Sequence, residues 1–286
     1  MRCGSAVTSN EERHTGACPA DLEGRRIRWQ CGKGSLDTVH MNVEVVSVAD
    51  RPDLTDELWT FADGWPRFML EDQLGDMMGA LPRYFPRLQL LVINRTDQTV
   101  VAKAHAVPFP WMGTHEELPE RGWDEVLGMG VRAGMYGRET HAVSALEISI
   151  RPHLRGIGLS AVVVAALREA VAKEGYSDLF APVRPTGKPG EPHSAMSEYA
   201  IRTRPDGLPV DPWLRVHVRA GGRILRVCPA SMTIAGSLAQ WRDWTGLPFE
   251  ADGEVVVPGA LVPVHVSVQH DHAVYVEPNV WVHHSL

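Results

Sequence analysis

Three groups of residues in this sequence have the types and spacing to do chemistry. Glu147 stands in Ala142-Val-Ser-Ala-Leu-Glu-Ile-Ser-Ile-Arg151, a run that alternates as a strand does. Read at a period of two, Leu146, Ile148 and Ile150 share an apolar face, while Ala145, Glu147 and Ser149 share the other. A carboxylate is costly to bury unpaired, so the second face is expected to line a wet or functional cleft. The second group is Arg155-Gly156-Ile157-Gly158-Leu159-Ser160, which follows Pro152 at the strand's end. Two glycines two apart let the backbone turn tightly and let a ligand approach it without a Cβ in the way. Leu159, Val162, Val163, Ala166, Leu167, Ala170 and Val171 then recur at helical spacing, and Gly175 makes a C-cap. A helix opening on such a turn presents unpaired N–H groups and its positive dipole end. With Arg151 and Arg155 beside it, the turn is expected to hold a phosphate. The third group is His217, near the end of a helix that starts with Asp211 as N-cap and Pro212 in the first turn. An imidazole there can donate a proton near neutrality, or it can simply pack.

Other candidates are weaker. Tyr136, in a glycine-rich segment before the motif strand, either lines an acceptor site or packs as an aromatic. Trp59, Asp63, Trp65 and Phe68 form an aromatic zone of the same two readings. Glu277 and Asn279 are read as structural hydrogen-bonding groups or acceptor contacts. His270, His272, His283 and His284 cluster only by count, and their separate contexts read as solvated histidines with no metal site. Cys228 ends a strand with no histidine placed to activate it.

Which phosphate ligand the turn takes is answered by a resemblance. Arg155, Gly158 and Ser160, after a strand and at the head of a helix, resemble the Arg/Gln-x-x-Gly-x-Gly/Ala signature of the GNAT superfamily of acyl-CoA N-acyltransferases. The final position departs from it, with Ser for Gly or Ala. The resemblance covers roughly residues 43–230. It implies a mixed α/β fold with a central, mostly antiparallel sheet flanked by helices. It also implies acetyl-CoA as co-substrate, a small-molecule primary amine as acceptor, direct transfer with no covalent enzyme intermediate, and no metal. Carried over residue by residue, Ile148, Ser149 and Ile150 would meet the pantetheine arm. The N–H groups from Gly156 through Ile157, Gly158 and Leu159 to Ser160 would cradle the pyrophosphate, with Arg155 beside them. His217 stands where the family often has a tyrosine that protonates the departing thiolate, and Gly222 replaces the family's phenylalanine. Glu147 then has three readings: base for the ammonium, anchor for it, or member of a structural ion pair.

Two readings compete with transfer. Gly156-Ile-Gly158-Leu-Ser-Ala161 also fits a dinucleotide fingerprint, which would make the protein an NAD(P)-dependent oxidoreductase. That fingerprint needs an acidic residue at the end of the next strand, and Asp178 precedes the strand at 179–183. An acyl-CoA-binding module without catalysis is the other.

These groups need a scaffold, and the pattern supplies one. Residues 43–48 read as a strand and 53–82 as one or two helices broken near Gly64-Trp65-Pro66. Residues 88–94 and 99–107 flank a hairpin turn at Arg95–Gln98. A short helix at 123–134, the strand at 142–151, a helix at 158–174, a strand at 178–183, an irregular stretch at 184–210, a helix at 212–220 and a strand at 223–228 follow. Residues 41–230 are thus expected to form the acyltransferase domain. Residues 231–286, rich in Val with Pro258, Pro263 and Pro278, read as a β-rich extension of edge strands that closes the acceptor site or builds a homodimer interface. Residues 1–40 are polar and aperiodic, and read as a disordered extension or an upstream start.

Bulk properties bound the partners. A net charge of -7 without any block of Lys and Arg argues against nucleic acid or an anionic membrane surface. No apolar run approaches the roughly 20 residues that span a bilayer, and no secretory h-region opens the chain. Four scattered cysteines without a CxxC pair fit reduced thiols and a cytoplasmic protein.

Overall fold

Two apolar runs around a polar turn set the sheet in place. β2 (Gln89–Asn94) and β3 (Val100–Phe109) pair as an antiparallel hairpin, with β1 (Val43–Ser47) on the free edge of β2. The structure, a computed structural model, describes residues 41–61 and 64–286; the expectations for residues 1–40 and for Asp63 lie outside them. β4 (Ala142–Ile150) pairs antiparallel with β3, and β5 (Asp178–Val183) runs parallel to β4. Beyond these lie β6 (Arg223–Gly236), β7 (Gly253–Val255), β8 (Val264–Ser267) and β9 (His272–Ser285), in the order β1-β2-β3-β4-β5-β9-β8-β7 with β6 on β9. Among the described strands only β4 and β5 are parallel, so this sheet is not the repeated βαβ array that a dinucleotide fingerprint requires.

Among the described residues, seven helices cover it. α1 (Glu57–Thr60), α2 (Leu81–Tyr84) and α3 (Gly122–Tyr136) lie on one face. α4 (Leu159–Lys173), α5 (Met196–Ala200) and α6 (Pro212–Arg219) lie on the other, where Val163, Leu167, Val171 and Leu214 pack against Ala104, Ala106, Val143 and Val282. α7 (Leu238–Thr245) packs Trp241 against Phe68 and Phe249 in a second core.

Three expectations need correction. Residues 53–82 do not form long helices. They break into 3-10 turns at Pro52–Leu54, Arg67–Glu71 and Gly75–Ala80 with α1 and α2; Gly64 and Pro66 end any continuation of α1, and Gly75 and Gly79 weaken the helix beyond it. Strict alternation also fails along β4. A bulge opposite His105 and Ala106 sends Ala145 to the α4 face with Ile148 and Ile150, while Leu146 joins the α3 face. Residues 231–286, finally, are not all edge strands. β9 lies inside the sheet, with β6 along one edge and both β5 and β8 on the other. Pro278 is tolerated there because it falls in the stretch between the β5 and β8 pairings, where no ladder partner asks for its N–H.

Candidate active site

The motif turn is built as the glycines dictate. Gly156 and Gly158 have φ of 84° and 95°, values costly for any residue with a Cβ, and a Cβ added at either would meet nothing within 4 Å. Residues Arg155 to Gly158 are exposed and α4 begins at Leu159. The first N–H groups of that helix lie next to an exposed turn with open space around both glycines, an arrangement that can take a diphosphate. The Arg155 side chain lies back along the strand end, its Nε 3.3 Å from the Ile150 carbonyl.

Beside the turn, β4 and β5 diverge. Their pairing is confined to Val143 with Leu179 and Ser144 with Phe180, so Leu146 to Ile150 face a gap on that side. An extended chain with amide groups, such as pantetheine, can add itself there as a strand would. Ile148, Ser149 and Ile150 thus lie together with the 155–160 turn at the open end of the parallel pair.

Glu147 sits on this strand with its carboxylate on the α1 side. Oε1 accepts from Ser149 Oγ at 2.6 Å and Trp65 Nε1 at 3.1 Å, and Lys103 Nζ lies 3.3 Å away. Oε2 faces His105 Nε2 at 3.7 Å. Lys103 is tied to the Leu58 carbonyl at 3.0 Å, and Trp59 stacks on the His105 ring with centroids 5.4 Å apart. Burial pushes the Glu147 carboxyl up, but His105, Lys103 and the Ser149 and Trp65 hydrogen bonds outweigh it and hold the group below its ordinary range. Burial also lowers His105 to about 4, so its charge helps Glu147 only while the imidazole is protonated; at neutral pH the ring is uncharged, and Lys103 and the two hydrogen bonds remain beside the carboxylate.

A second polar network lies behind Trp65. The Arg184 guanidinium stacks over the Trp65 ring at 5.6 Å and bonds both oxygens of Glu277 at 3.1 and 2.9 Å. Tyr275 and Asn279 donate to the same carboxylate at 2.8 and 3.0 Å. Glu277 is fully buried and Asn279 nearly so, and both are structural hydrogen-bonding groups. Next to them, Asp72 and Asp124 face each other. Burial and the charge of Asp72 push Asp124 up to about 8, and burial raises Asp72 as well.

The remaining expected site residues lie elsewhere. His217 is buried on α6 with Nδ1 3.0 Å from His284 Nε2, and burial lowers it to about 3. His284 pairs with Leu179 at the closed end of the β4–β5 pair, opposite the gap, so the structure does not bring His217 to Glu147. Gly222 has no room for a side chain there: a Cβ would lie 2.7 Å from the His217 carbonyl and 2.8 Å from the His284 ring. Tyr136 is exposed at the last residue of α3, whose other end places Trp123 Nε1 on the Leu146 carbonyl at 2.9 Å. Fifteen residues of helix, about 20 Å, separate the two ends. His283 and His284 are not solvated: His283 bonds Asp178 at 2.7 Å, and His284 is buried against His217. Cys228 is buried against the Glu120 carbonyl, its thiol pushed up to about 11 by burial. Lys103 and His105 were missed in the sequence. Their signal was two polar residues two apart in the apolar run Val100-Val-Ala-Lys-Ala-His-Ala-Val107, the same pattern that exposes Glu147.

The chain is similar in sequence and in fold to known proteins. No family model matches the chain. Arginine N-acetyltransferase avaD of Aspergillus versicolor is 32% identical over 272 residues, which cover 84% of this chain and 93% of that protein. The loading GNATL domain of CurA from Lyngbya majuscula superposes with a TM-score of 0.56 at 16% identity, over 86% of this chain and 98% of the domain. The GphF GNAT-like decarboxylase in complex with isobutyryl-CoA gives a TM-score of 0.50 at 15% identity, over 85% of this chain and 98% of its own. The last two bear on the fold alone. With a relative this similar over most of both chains, the chain belongs to the GNAT superfamily of acyl-CoA N-acyltransferases.

Proposed function

We propose that this N-acetyltransferase moves the acetyl group of acetyl-CoA to a primary amine of a small cationic acceptor of the arginine class. The observation that carries the reading is the Glu147 carboxylate, kept ionised beside the gap between β4 and β5. The arginine acceptor of the relative named above supports the substrate class. The amides of Gly156 to Ser160 would hold the pyrophosphate, and the backbone of Ile148 to Ile150 the pantetheine. Bound there, the co-substrate supplies a thioester carbonyl open to attack.

The chain's own task is then the amine. An ammonium group has no lone pair, so a proton must leave before nitrogen can attack. Glu147 attracts the cation and accepts that proton at Oε2, the oxygen opposite the one held by Ser149 and Trp65. The carboxylate is largely buried, with Trp65 hydrogen-bonded to it, which strengthens both effects. Cys228, buried and protonated, has no part.

The test is a thiol-release assay with acetyl-CoA across arginine, ornithine, lysine and uncharged primary amines. Arginine is expected to give the highest kcat/KM. Release driven by uncharged amines with none by arginine would overturn the acceptor class.

A further inference from the structure

Beneath Glu147, one nitrogen is left over. Gln89 Nε2 donates to the Phe85 and Ala106 carbonyls, each at 2.9 Å, so the amide orientation is fixed and its Oε1 is an acceptor. That oxygen lies 2.9 Å from His105 Nδ1, which must therefore carry the hydrogen. In the neutral ring Nε2 is then a bare lone pair. It is fully buried, it has no hydrogen-bond partner among the described residues, and it faces Glu147 Oε2, another acceptor, at 3.7 Å. Two buried acceptors aimed at each other at this distance leave both lone pairs unsatisfied unless a proton sits between them. A packed histidine would have avoided this by placing its hydrogen on Nε2, but Gln89 forbids that tautomer.

We propose that His105 and Glu147 act as a dyad in which the proton taken from the acceptor ammonium at Glu147 Oε2 is held on His105 Nε2. The inference rests on the acetyltransferase reading above. In the step, an N–H bond of the ammonium breaks and its electron pair stays on nitrogen. The proton passes by way of the carboxylate and forms an Nε2–H bond, giving an imidazolium against an ionised Glu147. One ammonium and one thioester yield one amide, one thiol and one proton, and the dyad holds that proton until it returns to solvent. His105 acts through Glu147 and is a positioning residue in that sense. The charged groups facing it are Glu147 on β4 and Lys103 on its own strand. Lys103 disfavours a resting imidazolium, and burial does the same, so the station is empty when the amine arrives.

Nitrogen-15 NMR of histidine-labelled full-length enzyme tests this directly, with His105 assigned through its contact with the Trp59 ring. At pH 7 the free enzyme is expected to show a neutral His105 with its hydrogen on Nδ1. A hydrogen on Nε2, or a doubly protonated ring, would overturn the dyad whether or not any variant folds. In kinetics, H105Q is expected to lower kcat about tenfold to a hundredfold. Its KM for acetyl-CoA should be unchanged, and the acid limb of kcat/KM should move to lower pH because the pair has lost its second proton site. A lowered kcat with an unmoved limb would mark a merely structural residue and defeat the proposal. An enzyme with the expected tautomer but no amine acetylation would defeat the acetyltransferase reading instead.

Discussion

Two buried carboxyl sites a short way apart have opposite fates. Burial pushes Glu147 and Asp124 in the same direction, yet Glu147 ends below the usual carboxylate range and Asp124 at about 8. The difference lies in the neighbours. Glu147 has the Lys103 ammonium at 3.3 Å and two hydrogen-bond donors on one oxygen. Asp124 faces the Asp72 carboxyl; its compensation is the Thr233 amide at 3.2 Å and the exposed Arg121 at 3.7 Å. One site favours the charged form, the other the protonated form. Desolvation sets the penalty in both, and the partner decides the charge.

The largest effect should follow from removing the charge where it is used. Glu147→Gln keeps the shape of the side chain but cannot take a proton, and kcat is expected to fall by about 10²- to 10⁴-fold. Acetyl-CoA affinity should stay near that of the parent, since the turn at 155–160 is untouched; isothermal titration with CoA checks that half. A parent-like rate and pH profile would end the assignment. Lys103→Met is next. Without the ammonium, burial is less well opposed and the Glu147 carboxyl rises, so a carboxylate that was ionised at pH 6 becomes partly protonated. Activity at pH 6 is expected to drop roughly tenfold, with partial recovery at pH 9, because one pKa unit is one decade in ionised fraction. A uniform loss at every pH would mean that Lys103 does not set the charge of Glu147.

How much of this could be read in the sequence depended on range. Gly156 and Gly158 declare themselves locally: a turn needing positive φ at both positions, followed at once by a helical apolar period, is written in consecutive residues. Glu147 was legible for the same reason, as one charge in an apolar strand. Its partners were not. Lys103 and His105 carry the same mark, but only the β3–β4 register sets His105 opposite Glu147, and the bulge there undoes the alternation that a period of two assumes. His217 misled because its helix was read correctly while the partner that buries it, His284, lies 67 residues on. β9 reads locally as an edge strand because Pro258, Pro263 and Pro278 punctuate its segment, and nothing local shows that this strand inserts beside β5.

A smaller effect belongs to the turn itself. Gly158→Ala places a Cβ in open space but asks alanine to hold a φ of 95°, so strain rather than a clash is the cost. If the chain relaxes the turn when CoA is absent, binding must restore it. KM for acetyl-CoA should then rise about fivefold, at the low end of a cost of roughly 1–2 kcal/mol, with kcat little changed. A fall in kcat instead would mean that the turn also places the thioester relative to Glu147.

The least change in turnover is expected on the other side of the comparison, where the readout is stability. In the unfolded chain Asp124 titrates near 3.8, and in the folded protein near 8. Below about pH 4 both states carry the proton and the contribution to stability is complete. As pH rises towards 8 the unfolded state ionises freely while the folded state resists, so stability is lost across that window. Asp124→Asn cannot ionise, and its amide can donate to Asp72 while its oxygen keeps the Thr233 N–H. Thermal melts between pH 5 and 8 should fall steadily for the parent, by on the order of 2–4 kcal/mol in stability, and much less for the variant. The parent's slope persisting in Asp124→Asn would place the proton on Asp72 or nowhere. The contrast with Glu147 would then reduce to a difference in hydrogen bonding, with no role for the charge of the neighbour.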